Sequence, residues 1–113
     1  MMIHLLKSKI HMATVTATEL LYEGSIAVDK KLLAAAGLIP GEKVHVLNFN
    51  NSNRFETYVI EGGDGEISLK GPAAKLGKKG DKVIILAYGL ADQAEAAAVK
   101  ARIVHVNERN EIK

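Results

Sequence analysis

Ala34–Leu47 reads AAAGLIPGEKVHVL and Ala73–Leu86 reads AAKLGKKGDKVIIL. The two stretches lie thirty-nine positions apart and share an alanine-rich start, a turn, the run Gly-acid-Lys-Val and a strand-like end. Two copies are too few to stack as a solenoid, so they predict one domain made of two related halves. Short strands, two small helices and an internal pseudo-symmetry fit a compact β-barrel, a shape that also leaves few sheet edges exposed.

Outward from the first copy, Asp29 is placed to cap a helix over Lys30–Ala36, with Leu32, Leu33 and Ala36 on one face, Gly37 as terminator and Pro40 beyond it. Before the second copy, Gly71-Pro72 opens a helix of one or two turns that Gly77 closes. Between the copies, Val44–Phe49 and Arg54–Ile60 read as a hairpin around Asn50-Asn51-Ser52-Asn53. On its return strand Arg54, Glu56, Tyr58 and Ile60 share one face, and Phe55, Thr57 and Val59 the other. Gly62-Gly63-Asp64-Gly65 then turns the chain into a short strand, Glu66–Lys70. Toward the amino end, Ile3–Met12 and Ala13–Thr18 read as two strands, Thr18–Ser25 as a loop and Ile26–Val28 as a further strand. Lys9 and His11 face the same side of the first. Toward the carboxyl end, Val83–Tyr88 reads as a buried strand. Asp92-Gln93-Ala94-Glu95 resembles a capping box and predicts an alanine-rich helix to about Lys100. Ile103–Val106 is a last strand, and Asn107–Lys113 a polar, mobile tail.

Composition narrows the functional classes. At 113 residues the chain holds a single domain with a core large enough to need no staple. The absence of cysteine excludes disulfides, thiolate nucleophiles and Cys-based metal sites, and permits a reducing cytoplasm. His4, Lys7, Lys9 and His11 interrupt any export signal, and the longest uncharged apolar run, Val83–Ala91, is far short of the ~20 residues a membrane helix needs. The expectation is a cytoplasmic protein with no membrane partner. Fifteen basic against thirteen acidic residues, dispersed along the chain, leave a net charge of +2, and only five aromatic residues are present. That is no nucleic-acid footprint.

The chemistry-bearing residues are few. His4, His11, His45 and His105 show no metal-like pairing, so no metal is assigned, and His45 and His105 read as structural members of valine-rich strands. Gly62–Gly65 lacks the Lys-Ser/Thr of a phosphate loop, and no nucleophile elbow surrounds Ser8, Ser25, Ser52 or Ser68. Gly24-Ser25 is an ordinary turn dipeptide by statistics, yet a glycine can present its carbonyl to the hydroxyl that follows. Arg54 offers a two-point fork for a carboxylate, and Tyr58, about 13 Å along the same strand face, a phenol that gives or takes a proton. A solvated strand face is the competing account of Arg54, and a surface position that of Lys9.

Taken together, Lys9-Ile10-His11, Tyr22-Glu23-Gly24-Ser25, Ala35-Ala36-Gly37, Asn53-Arg54-Phe55-Glu56-Thr57-Tyr58 and Gly71-Pro72-Ala73-Ala74 resemble the bacterial aspartate 1-decarboxylase family over nearly the whole chain to about Tyr88. The resemblance implies a mainly β fold, a double-psi β-barrel with a few short helices, assembled as a homotetramer with active sites between subunits. It implies self-cleavage between Gly24 and Ser25 into fragments 1–24 and 25–113, spontaneous or helped by a maturation factor, with Ser25 becoming a pyruvoyl group. No pyridoxal phosphate is then required. The pyruvoyl ketone would form a Schiff base with L-aspartate and act as electron sink for its decarboxylation to β-alanine, supplying pantothenate and coenzyme A synthesis. By resemblance Thr57 assists processing, Arg54 and Lys9 bind the substrate's carboxylates, Tyr58 is the proton donor, Gly71, Pro72 and Ala73 flank the substrate, and His11 and Tyr22 line the site. Where the family commonly has asparagine before the Gly-Ala/Pro-Ala loop this chain has Lys70, which cannot reproduce an amide's paired donor and acceptor. The rival readings are a non-catalytic β-barrel that binds a ligand, and a pyruvoyl decarboxylase for another acidic amino acid.

Overall fold

A computed structural model describes residues 1–113. Eight strands alternate with short helical segments: β1 (Met2–Thr14), β2 (Ala17–Glu19), β3 (Ser25–Asp29), α1 (Lys30–Ala36), β4 (Lys43–Asn48), β5 (Arg54–Gly62), β6 (Ile67–Lys70), a 3-10 turn at Gly71–Lys75, β7 (Lys82–Asp92), a second 3-10 turn at Ala96–Ala98, and β8 (Arg102–His105). They hydrogen-bond in the order β2-β6-β3-β5-β4-β7-β1-β8. Just past β1 the chain crosses over: the Val15 amide donates to the Asp81 carbonyl and the Thr16 amide to that of Ile67, each at 2.8 Å. This carries the first strand from one edge region of the sheet to β6 and curls the sheet into a small double-psi β-barrel. Ile10, Ile26, Val28, Val46, Val59 and Ile85 fill its interior with essentially no solvent exposure. Burial of each such side chain contributes about 1.5–3 kcal/mol. No helix is long and apolar enough to cross a membrane.

The repeat read from the sequence is a structural repeat. β4 and β7 pair antiparallel, and Val46 faces Ile85 directly. These two are the same position of the two copies, thirty-nine residues apart, so a local two-fold relates the halves through this pair. The Gly-acid steps match as well. Gly41 donates to Val59 and Val59 returns a bond to Glu42; Gly80 donates to Val15 and Val15 returns one to Asp81, all within 2.8–3.0 Å. Each acid also caps its own turn, the Ile39 amide donating to Glu42 at 3.2 Å and the Lys78 amide to Asp81 at 3.0 Å.

The cap at Asp29 is as expected: its Oδ1 accepts from the Lys31 amide at 2.8 Å, and Leu32, Leu33 and Ala36 are buried. Gly37 closes α1 in the left-handed conformation. Around the second copy the predicted helix is instead the 3-10 turn, closed at Leu76 rather than Gly77.

Three expectations fail at the chain's ends. The break between the two amino-terminal strands falls later than expected: β1 runs through Met12, at φ 63°, to Thr14, kept continuous between β7 and β8 by irregularities at Leu6/Ser8 and Ile10/Ala13, and Ala17–Thr18 open β2. Such bulges bend a strand without ending it. The alanine-rich helix does not form, because β7 runs on to Asp92, paired with Met2. Asp92 accepts from the Ala94 amide only two residues on, an Asx-type turn, and the single 3-10 turn that follows buries none of its residues. Alanine propensity alone does not sustain so short a helix without an apolar face to bury. The polar tail is docked: Asn110 is buried, receives the Thr14 amide and donates to the carbonyls of Thr14 and Gly65 at 2.7–2.9 Å. Lys113 returns a bond to His105.

Candidate active site

The loop Leu20–Gly24 is pinched at its base by one residue. β2 ends at Glu19 and β3 starts at Ser25, and both are paired with Lys70 of β6, the first parallel and the second antiparallel. The Lys70 ammonium sits 4.5 Å from the centre of the Tyr22 ring and 3.4 Å from the Glu19 carboxylate. A cation over an aromatic face with a carboxylate beside it holds both ends of the loop to β6.

Gly71 comes next, and it lies against the backbone of Gly24, just ahead of the Gly24–Ser25 bond. Its φ is +67°, and a Cβ there would stand 2.6 Å from both N and Cα of Gly24 and 2.7 Å from the Tyr22 carbonyl oxygen. No side chain larger than hydrogen fits this approach. Gly24 itself has φ +107°, with Pro72 Cδ 3.3 Å from where its Cβ would lie. Ser25 follows, entirely buried, and its Oγ has no hydrogen-bond partner. A buried hydroxyl without a partner costs about 1–3 kcal/mol, and native structures rarely tolerate one without a use for it.

In front of this bond lies a cavity of about 300 Å³ lined by Glu23, Gly24, Phe55, Glu56, Thr57, Tyr58, Lys70, Pro72, Ala73 and Leu76. β5 supplies Thr57 and Tyr58 because it runs parallel beside β3, Val59 opposite Ile26. One chain therefore gathers Gly24, Thr57, Tyr58, Pro72 and Ala73 around a single hollow, with Gly71 behind and Ser25 beneath.

The remaining expected residues lie elsewhere. Arg54 opens onto a second cavity of about 510 Å³ with His4, Lys43, His45, Glu56 and Tyr88. Glu56 borders both cavities. Its carboxylate is held by Lys43 at 3.0 Å and approached by His45 Nε2 at 3.7 Å. The hydrogen bond and charge of Lys43 keep it below the usual carboxylate range. His45 also sets its ring edge-on to Tyr88, with centroids 5.3 Å apart. Lys9 shares a row with these groups: it pairs with Leu86, Leu86 with His45, and His45 with Glu56. Three inter-strand steps, about 14 Å, separate Lys9 from Glu56. His11 lies on a third cavity of about 370 Å³, its ring 5.5 Å from that of His105 and its Nδ1 buried without a partner. Burial, then Lys9, His105 and Lys113, lower its pKa. Tyr22 stacks on Lys70 and does not line the first cavity.

Lys43, His45 and Glu56 were missed as site neighbours by sequence reasoning. The signal was present, since strand alternation through the hairpin puts Lys43 and His45 on the face that carries Arg54, Glu56 and Tyr58. No three His, Asp or Glu side chains gather as metal ligands would.

The profile of the aspartate decarboxylase family matches residues 1–113. The chain is 53% identical to the aspartate 1-decarboxylase of Dehalococcoides mccartyi over 110 residues, 96% of this chain and 89% of the relative. It is 54% identical over 114 residues to that of Caldicellulosiruptor bescii, covering 99% and 89%. To that of Burkholderia vietnamiensis it is 52% identical over 113 residues, covering 97% and 88%.

Proposed function

The chain belongs to the aspartate decarboxylase family, enzymes that turn L-aspartate into β-alanine and CO2 for pantothenate synthesis, and from that premise we propose that the reactive carbonyl is a pyruvoyl group made from Ser25 by self-cleavage in the cytoplasm. The observation that carries the proposal is the buried, unpartnered Ser25 Oγ directly after a glycine held at φ +107° against Gly71.

Ser25 Oγ attacks the Gly24 carbonyl carbon. A C–O ester bond forms as the C–N bond breaks, and the hydroxyl proton goes to the released amine. Loss of the residue-25 α-proton then breaks the Cβ–O bond, freeing the Gly24 carboxylate and leaving a dehydroalanine that water converts to a ketone with release of ammonia. Preorganised donors stabilise the oxyanion of the first step, and the Thr57 hydroxyl, on the same cavity as Gly24, has that role. The resulting group supplies an electron sink for the departing CO2.

The protein's own side chains do the rest. Arg54 grips the side-chain carboxylate of aspartate two-point fashion. Tyr58 delivers the proton to the α-carbon as general acid. Pro72 and Ala73 wall the cavity and limit water, with Gly71 behind them. Arg54 and Lys9 lie off this hollow within one chain, and a neighbouring copy that brings both to it completes the site in a homotetramer. His11 and Tyr22 belong to its margin.

Denaturing mass spectrometry tests the proposal. Wild-type protein, incubated warm with and without a maturation factor, yields fragments 1–24 and 25–113, the second one ammonia lighter than a serine-started chain. Ser25→Ala stays whole and releases no CO2. An uncut wild-type chain in both arms overturns the proposal. CO2 release from aspartate against glutamate reads the substrate preference, and light scattering reads the assembly.

A further inference from the structure

Arg54 has no ion pair in the folded chain, although a carboxylate stands two residues away on the same strand face. Alternate residues of a strand are about 6.8 Å apart, within reach of an arginine and a glutamate side chain. A guanidinium gives carboxylates a two-point geometry that an ammonium lacks. Left alone, Glu56 would therefore turn to Arg54 and occupy the fork. It does not: Lys43 holds its Oε2 from the neighbouring strand at 3.0 Å, and His45 Nε2 stands beside Oε1 at 3.7 Å, outside hydrogen-bond distance.

We propose that Lys43, backed by His45, is a positioning residue for aspartate binding: by holding Glu56 against β4 it keeps Arg54 open to the substrate's side-chain carboxylate. The inference rests on Arg54 as the carboxylate ligand and adds what keeps that ligand free. The arrangement has a second effect. Glu56 borders both the Arg54 cavity and the Gly24 cavity, so an uncompensated carboxylate there repels a substrate that carries two negative charges. His4 and Tyr88 are the other polar groups on the Arg54 cavity, and neither is paired with Glu56.

Steady-state kinetics on fully processed protein, with processing checked by mass, decide it. Lys43→Met raises KM for L-aspartate about three- to fivefold, the scale of an exposed ion pair, while kcat stays within about twofold. Adding Glu56→Gln to Lys43→Met returns KM to the wild-type value, because the competing carboxylate is gone. An unchanged KM in Lys43→Met overturns the inference. So does a KM that stays raised in the double variant, which would mean that Lys43 touches the substrate itself. Arg54→Met runs in parallel: if it leaves KM unaltered, the role given to Arg54 fails, and if it raises KM while Lys43→Met does not, only the role given to Lys43 fails.

Discussion

The two halves of the barrel share a frame and differ at one place. In both, a glycine and an acid exchange backbone hydrogen bonds with a crossing valine, Val59 in the first half and Val15 in the second, and the acid caps its own turn. Ahead of that frame, the first half has a capped helix whose Leu32 and Leu33 enter the core. The equivalent positions of the second half are Gly71 and Pro72, in a 3-10 turn whose glycine lies against the backbone of Gly24. One half thus spends this segment on packing and the other on closing around the Gly24–Ser25 bond. The barrel tolerates the exchange because the Gly-acid crossings, and the Val46–Ile85 pair on the local two-fold, do not depend on it.

The sharpest way to break this comparison is to substitute equivalent positions. Gly71→Ala sets a Cβ 2.6 Å from Gly24 and asks alanine for a left-handed φ. It lowers stability by about 2–4 kcal/mol, a Tm loss on the order of 10–20 °C, and leaves the Gly24–Ser25 bond uncut. Leu32→Ala, by contrast, costs about 2–4 kcal/mol through a cavity but still permits cleavage. Thermal melts with mass spectrometry of both variants read the two effects, and equal loss of cleavage would dissolve the distinction between the halves.

The two capping acids offer a finer test. Asp81 is buried and also accepts from Asn48 Nδ2 at 2.8 Å, whereas Glu42 is partly exposed and shares its charge with Lys7 at 2.7 Å. Asp81→Ala strands the Asn48 donor and costs about 2–3 kcal/mol; Glu42→Ala costs about 1 kcal/mol. Urea titration of both variants measures the difference. Smallest is the effect at the joint between the halves, where Glu66 receives the Gly63 amide and the Ser68 hydroxyl. Those bonds hold its pKa below the ordinary carboxylate value. Its contribution is therefore complete above that ordinary value, about 4.3, and drains away as pH falls through the lower folded-state one. Glu66→Gln should flatten the acid limb of a stability-against-pH curve while leaving its neutral plateau within about 1 kcal/mol.

What could be read beforehand was local. The Asp29 cap, the hairpin of β4 and β5 and the Gly-acid repeat depend on residues within a few positions of one another, and all three stand in the structure. The misreadings involve distant partners. Nothing near Met12 says that a positive φ will let β1 continue, because β7 and β8 impose it. The alanines after Asp92 favour a helix but meet no surface to pack on. Asn110 looks like tail until Thr14 and Gly65 are brought to it. At the site, Gly24, Thr57, Tyr58, Pro72 and Ala73 share one hollow, while Lys43 sits just ahead of the strand legible from Val44 and His45 reads as a structural member of it until pairing sets both beside Glu56 and Tyr58.

The place of β1 in the sheet has a consequence for biosynthesis. The first strand made is flanked only by β7 and β8, the last two, and its end is fastened by Asn110, ninety-six residues further on. Pairings so distant in sequence form slowly and late. During translation the nascent amino-terminal segment must wait, unpaired, for almost the whole chain, and it is then an exposed edge open to wrong partners. Gly24 meets Gly71 only when β6 and the turn after it have been made. Under the self-cleavage proposed above, synthesis order acts as a timer that holds the bond in an unconstrained chain until most of the barrel exists.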